Sequence, residues 1–157
     1  MKTRKTKTFV YRGFGFPITL IKAPMKKMLS GWVVDIDMQK LEEVVLFALI
    51  HKPASLTGNE LRFMRKVLEL NTTDFGRLLG VTHAAVVKWE NETTKINPST
   101  EVLIRLRMLD HLSATSEEFK KVLQEIDVEA LAKSKRAHLS KIAVDATSDD
   151  LKIAANF

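Results

Sequence analysis

The strongest constraint in this chain is a glycine, Gly80, standing between two short runs that each read as one amphipathic helix. Across residues 71 to 92, NTTDFGRLLGVTHAAVVKWENE, Asn71 is a suitable N-cap and Asp74 sits where a carboxylate meets the positive end of the helix dipole. Phe75, Leu78 and Leu79 form one apolar stripe. Gly80 ends that helix, because glycine can take the left-handed conformation that closes a helix C-terminus. Gly76 lets a second helix approach closely, and Val81 fills the corner beneath the turn. Thr82 caps the second helix, where Val86 and Trp89 point inward at helical spacing and His83, Ala84, Ala85 and Lys88 face out. Two short helices meeting at a tight turn are expected.

In a helix-turn-helix, the outward face of the second helix is the one laid into the major groove of DNA. A helical hairpin formed for packing alone is the competing explanation. The flanking chain favours DNA: Leu61, Arg65, Gly80, Val86, Trp89 and Glu90 stand at the mutual spacings by which residues 57 to 112 resemble the XRE, or phage-repressor-like, family. That resemblance implies a lambda-repressor-like five-helix domain, with an arginine of the preceding helix paired to a glutamate just after the recognition helix core; Arg65 and Glu90 match those positions. On this reading Thr72 and Thr82 meet phosphates at the two helix N-termini. His83 and Lys88 donate to guanine edges, and Ala84 and Ala85 press on thymine methyls.

Other chemistries find little support. The chain has no cysteine, which excludes disulfides and thiolate metal sites, and His51, His83, His111 and His138 show no metal-ligand spacing. No catalytic residues are expected: there is no cysteine nucleophile, no GxxxxGK[ST] phosphate loop and no HExxH, and Gly13-Phe14-Gly15 is too short for a dinucleotide fingerprint. No metal or other cofactor is expected. The longest apolar run, Val44 to Ile50, is far short of the roughly 20 residues that span a bilayer, so no membrane association and a cytoplasmic location are expected. At 157 residues and 45% apolar composition, the chain can hold one ordinary domain or two small ones.

Net charge is +6, and the basicity is N-terminal: eight Lys and Arg precede the first acid, Asp35. Such a segment attracts a phosphate backbone or an acidic protein surface. Residues 1 to 8 have no apolar anchor and are expected to be mobile, with order beginning near Phe9. A strand follows from Phe16, interrupted at Ala23-Pro24, and then a second, Trp32 to Ile36, making a small hairpin or three-stranded sheet. Asp37 caps a helix from about Met38 to Ile50 whose inward stripe is Leu41, Val44, Val45, Ala48 and Leu49. Leu46, Phe47 and Ile50 make it apolar nearly all round, so these three are the candidate partner-binding residues, with burial within the fold as the alternative.

The order Tyr11, Gly13, Gly15-Phe-Pro-Ile-Thr-Leu, Ser30-Gly31, Val33-Val-Asp-Ile and the helix Leu41 to Ile50 resembles the YgiT/MqsA-type antitoxin module. That family places a zinc-binding module with paired CxxC ligands before its helix-turn-helix and contacts a cognate toxin through it. Here the cysteine pairs are absent, and Met25, Met28 and Trp32 are candidates for an apolar substitute core.

The expected fold is mainly α, α+β overall. A basic tail (1–8) precedes the hairpin and apolar helix (9–52), and a short linker at Lys52 to Leu56 leads to the helix-turn-helix domain (57–112). Its first helix, capped by the box Thr57-x-x-Glu60, buries Leu61, Met64, Val67 and Leu68; its last buries Val102, Leu103, Leu106 and Leu109. Residues 113 to 157 supply an amphipathic C-terminal helix, with Phe119, Val122, Leu123, Ile126 and Ala130 on one face for monomer core or dimerisation, then a hairpin or loose tail. The expected function is a sequence-specific repressor, a homodimer on a palindromic double-stranded DNA operator, with autoregulating antitoxin as its leading form and a toxin as possible partner. The alternatives are a protein-interaction module using the helix-turn-helix as scaffold, or a plain XRE-type regulator with no toxin.

Overall fold

A computed structural model describes residues 5–113, 116–133 and 141–155. The fold is mixed α+β, with seven helices and five strands among the described residues. The chain divides into two compact units, Met1–Ala48 with Ser140–Phe157, and Leu49–Leu139.

The first unit is built on a sheet of β1 (Thr6–Tyr11), β2 (Ile18–Met28), β3 (Gly31–Val34), β4 (Ile142–Asp145) and β5 (Lys152–Ala155). Order therefore begins before Phe9, and residues 1–4 of the basic tail lie outside the described residues. Central strand β2 pairs antiparallel with β1 and parallel with β4, matching Ile18 to Ile142 and Leu20 to Val144; all four side chains are buried. The alternation Ile18, Leu20 puts one face of β2 into the core.

Pro24 does not interrupt this strand as the sequence suggests. One edge of β2 pairs with β4 as far as Ile21 and then with β3 from Met25, and the Pro24 carbonyl accepts from Asp35 N–H at 2.7 Å on that edge. Pro24 thus occupies the gap between two partners, where a missing N–H breaks no ladder bond. Just before it, the register against β1 slips between Lys7 and Phe9, and Lys22 adopts φ 51° with its N–H on Thr8 Oγ1 at 3.0 Å. This is a β-bulge, with one extra residue on the longer strand.

Residues 142–155, expected as a hairpin or loose tail beyond the C-terminal helix, are the hairpin β4–β5 and are integral to the N-terminal sheet. Helix α1 (Met38–Ile50) starts where Asp37 Oδ1 accepts from Gln39 and Lys40 N–H. Two of its three candidate partner-binding residues, Leu46 and Ile50, are fully buried, and only Phe47, at 43%, is exposed. An all-apolar helix loses least by being enclosed on several sides, so Leu46 and Ile50 are core.

The second unit is helical: α2 (Gly58–Val67), α3 (Thr72–Leu79), α4 (His83–Glu90), α5 (Pro98–His111), α6 (Ser116–Glu125) and α7 (Val128–Lys133). Only four helices fall within residues 57–112, because the loop after α4 holds turns but no helical one. The expected single C-terminal helix is broken: Asp127 caps a new one, its Oδ1 accepting from Ala130 N–H at 2.9 Å. The break leaves Val122 and Leu131 buried but Leu123, Val128 and Ala130 exposed.

Two expected buried stripes are displaced. On α2, Phe63 is buried beside Leu61 and Met64, and Val67 is only half-buried, as is Leu68 just beyond the helix. On α5 the enclosed residues are Glu101, Ile104, Arg105, Met108 and Leu109, while Val102, Leu103 and Leu106 are half-buried. Burial of two charged side chains turns the inner face of α5 away from the one its apolar residues suggest.

Candidate nucleic-acid interface

The corner between α3 and α4 is assembled by local polar contacts. Asn71 Oδ1 accepts from Asp74 N–H at 2.8 Å, and Thr82 Oγ1 from Ala85 N–H at 3.1 Å, satisfying donors that a helix start leaves open. Gly80 has φ 71°, and Val81 N–H returns to Gly76 O at 2.8 Å. A Cβ on Gly76 would stand 2.8 Å from Val81 O, so this position admits the backbone of the turn itself. Phe75, Leu79 and Val86 are buried within the corner and Trp89 is half-buried.

α4 is fixed at its far end against α2. Arg65 donates from Nε to Glu90 Oε1 at 2.6 Å and from Nη2 to Oε2 at 3.3 Å, while its Nη1 donates to Leu70 O at 2.9 Å. Arg62 Nε lies 3.6 Å from Glu90 Oε2. At the start of α2, a Cβ on Gly58 would fall 2.1 Å from Glu90 O, so the two helix ends touch backbone to backbone. The capping box is formed, with Thr57 Oγ1 accepting from Glu60 N–H and Glu60 Oε1 from Thr57 N–H.

The outward side of this assembly carries His83, Ala84 and Lys88, all exposed, with Thr82 exposed at the helix start and Ala85 and Thr72 half-buried. Thr72 Oγ1 and His83 Nδ1 share a 2.7 Å hydrogen bond that ties the two helix N-termini together. Arg77, on α3, is largely exposed beside Asp74.

A curated protein of Escherichia coli, named the uncharacterized HTH-type transcriptional regulator YiaG, is 30% identical over 97 residues, covering 62% of this chain and 94% of that protein. The same match recurs in two further strains. The chain belongs to the HTH-type transcriptional regulators. No family model matches it, and no solved structure does.

The regulator holds a second constellation that sequence reasoning missed. The stretch expected to be a linker, Lys52 to Leu56, is largely buried and pinned by ions. Arg105 donates to the carbonyls of Ile50, Lys52 and Ala54 and, at 2.9 Å, to Glu101 Oε1. Glu101 also accepts from Leu56 N–H at 2.7 Å and from Ser55 Oγ at 2.8 Å. Lys52 Nζ donates to Glu60 Oε1 at 2.7 Å, so the capping glutamate of α2 is also a buried ion-pair partner. Burial lowers the Lys52 pKa, opposed by attraction to Glu60. The available signal was the pair Glu101 and Arg105, four apart and in line with Met108 on a single helix face.

The zinc module implied by the antitoxin resemblance does not fit this regulator. The region equivalent to the ligand pairs carries no thiolate, and no group of three or more His, Asp or Glu among the described residues is placed to hold a metal ion. Nor do Met25, Met28 and Trp32 replace a metal core: Met28 and Trp32 are about half exposed, and Met25 is half-buried.

Proposed function

We propose that this regulator is a sequence-specific DNA-binding repressor, acting by binding rather than catalysis, as a homodimer that reads a palindromic operator with two copies of α4. The observation that carries the reading is the exposed row His83, Ala84 and Lys88 on a helix whose N-terminus is capped by Thr82 and whose C-terminus is held by Arg65 and Glu90. Lys88 and His83 are the base-edge donors, Ala84 and Ala85 contact thymine methyls, and Thr72 and Thr82 hold phosphates. With His83 Nδ1 engaged by Thr72, Nε2 is the nitrogen left to face DNA. Support for a dimer is the exposed apolar surface of Leu123 and Val128 in the helical unit, which a twofold copy would cover.

The test is a titration of the full chain against a duplex selected from a random pool and against random duplex. Lys88→Ala is expected to weaken the selected duplex by about 1–3 kcal/mol and relax one base pair per half-site. Equal loss on both duplexes would remove Lys88 from base readout. The autoregulating antitoxin form rests on the resemblance across residues 11 to 50, with Phe47 the exposed one of the three candidate partner-binding residues. Copurification with the product of the adjacent gene, lost in Phe47→Asp, is its test.

A further inference from the structure

The β2–β3 hairpin carries an exposed surface that neither α4 nor the buried face of the sheet uses. Leu29 at its tip is fully exposed, and Met28 and Trp32 are 51% and 46% exposed. Lys27 and Trp32 are direct cross-strand partners, so their side chains share one face, and Lys5 Nζ lies 4.5 Å from the Trp32 ring centroid. Lys26, paired across to Val33, projects from the opposite face, 3.7 Å from Asp35. Lys5, Lys7, Arg12, Lys22, Lys26 and Lys27 are the charged residues between positions 5 and 34, with no acid among them.

A lysine row alone is an ordinary solvated strand, and an apolar tip alone an ordinary docking patch. Here the two coincide on a two-stranded ribbon with lysines on both faces, Lys27 beside Trp32 on one and Lys26, in an exposed ion pair with Asp35, on the other. A flat acidic protein surface would engage only one of those faces. A DNA groove flanks an inserted ribbon with phosphates on both sides and offers sugars and base edges to apolar side chains at the tip. We propose that this hairpin is a second DNA contact, with Lys5, Lys26 and Lys27 on phosphates and Leu29 and Trp32 against sugars and base edges. The proposal rests on the DNA-binding function above, and its test separates the two.

The test measures affinity of the full chain for the selected and random duplexes over a range of salt. Lys26→Ala with Lys27→Ala should flatten the slope of log affinity against log salt by about 0.9 for each phosphate no longer neutralised, on both duplexes alike, leaving their affinity ratio unchanged. Lys26→Arg with Lys27→Arg should keep the wild-type slope, which distinguishes removal of charge from failure to fold. Leu29→Ser should weaken both duplexes without altering the slope. A wild-type slope in the double alanine variant overturns the proposal, including the case in which that variant loses an acidic protein partner instead. A wild-type chain that does not prefer the selected duplex defeats recognition by α4 but not the hairpin contact, which the slope on random duplex still decides. A chain that binds neither duplex overturns both.

Discussion

The α3–α4 corner and the connector between α1 and α2 belong to the same helical unit but are held by opposite means. At the corner, Asn71, Thr82 and Gly80 each satisfy backbone groups within a few residues of themselves, at the surface. In the connector, the carbonyls of Ile50, Lys52 and Ala54, the Leu56 amide and the Ser55 hydroxyl are taken by Arg105 and Glu101, about fifty residues away and almost entirely removed from water. The corner is a motif that any chain with those residues can form locally. The connector is a long-range polar lock, and removing one member strands the others in a low-dielectric interior.

The largest effect should follow from opening that lock. Arg105→Ala is expected to destabilise the protein by about 3–5 kcal/mol in urea unfolding, because Glu101 and several carbonyls lose their buried partner. Arg105→Lys should recover little, since an ammonium lacks the planar fork that spans these acceptors. A loss under about 1 kcal/mol, typical of an exposed pair, would erase the distinction between connector and corner.

A smaller loss is expected from Arg65→Ala, which joins α2 to α4 from a partly exposed position. Glu90 keeps Arg62 nearby, so about 2 kcal/mol is the expected cost, with DNA affinity falling as the orientation of α4 loosens. Unchanged thermal unfolding would mean that the corner stands by its caps alone.

The smallest effect is a pH dependence confined to the connector. Because burial holds the folded Lys52 pKa below 10.5, the unfolded chain binds that proton more tightly. The resulting penalty is full below the folded pKa and is relieved as pH rises through the window up to 10.5. The stability of wild type relative to Lys52→Met should therefore climb from neutral to alkaline pH. A relative stability that falls with pH would show that the buried pair favours the lysine cation.

Legibility followed the same division. The corner, the capping box Thr57–Glu60 and the Asp37 cap could be read because each signal and its partner lie within about one helical turn, and the Arg65–Glu90 contact was implied by a family resemblance. The inner face of α5 was misplaced because periodicity assigns charged residues to water, and nothing local announces that Glu101 and Arg105 have backbone partners waiting inside. Two of the three candidate partner residues on α1 proved to be core for the converse reason: an apolar excess at Leu46 and Ile50 signals covering but does not say by what, and only Phe47 stays at the surface.

What the sequence determined by itself is the local chemistry: the helix caps at Asp37, Thr57, Asn71 and Thr82, which residue must accept φ 71° at the turn, that His83, Ala84 and Lys88 of α4 face out, and that no thiolate exists to bind zinc. Only the tertiary structure decided that β4 lies parallel to β2 across more than a hundred residues, that Pro24 falls between two strand partners, and that two ion pairs sit inside. Caps and turns are set by neighbours in the chain. Strand partners and buried charges depend on groups that only the closed fold brings within hydrogen-bond distance, and the desolvation that makes them consequential does not exist until it has closed.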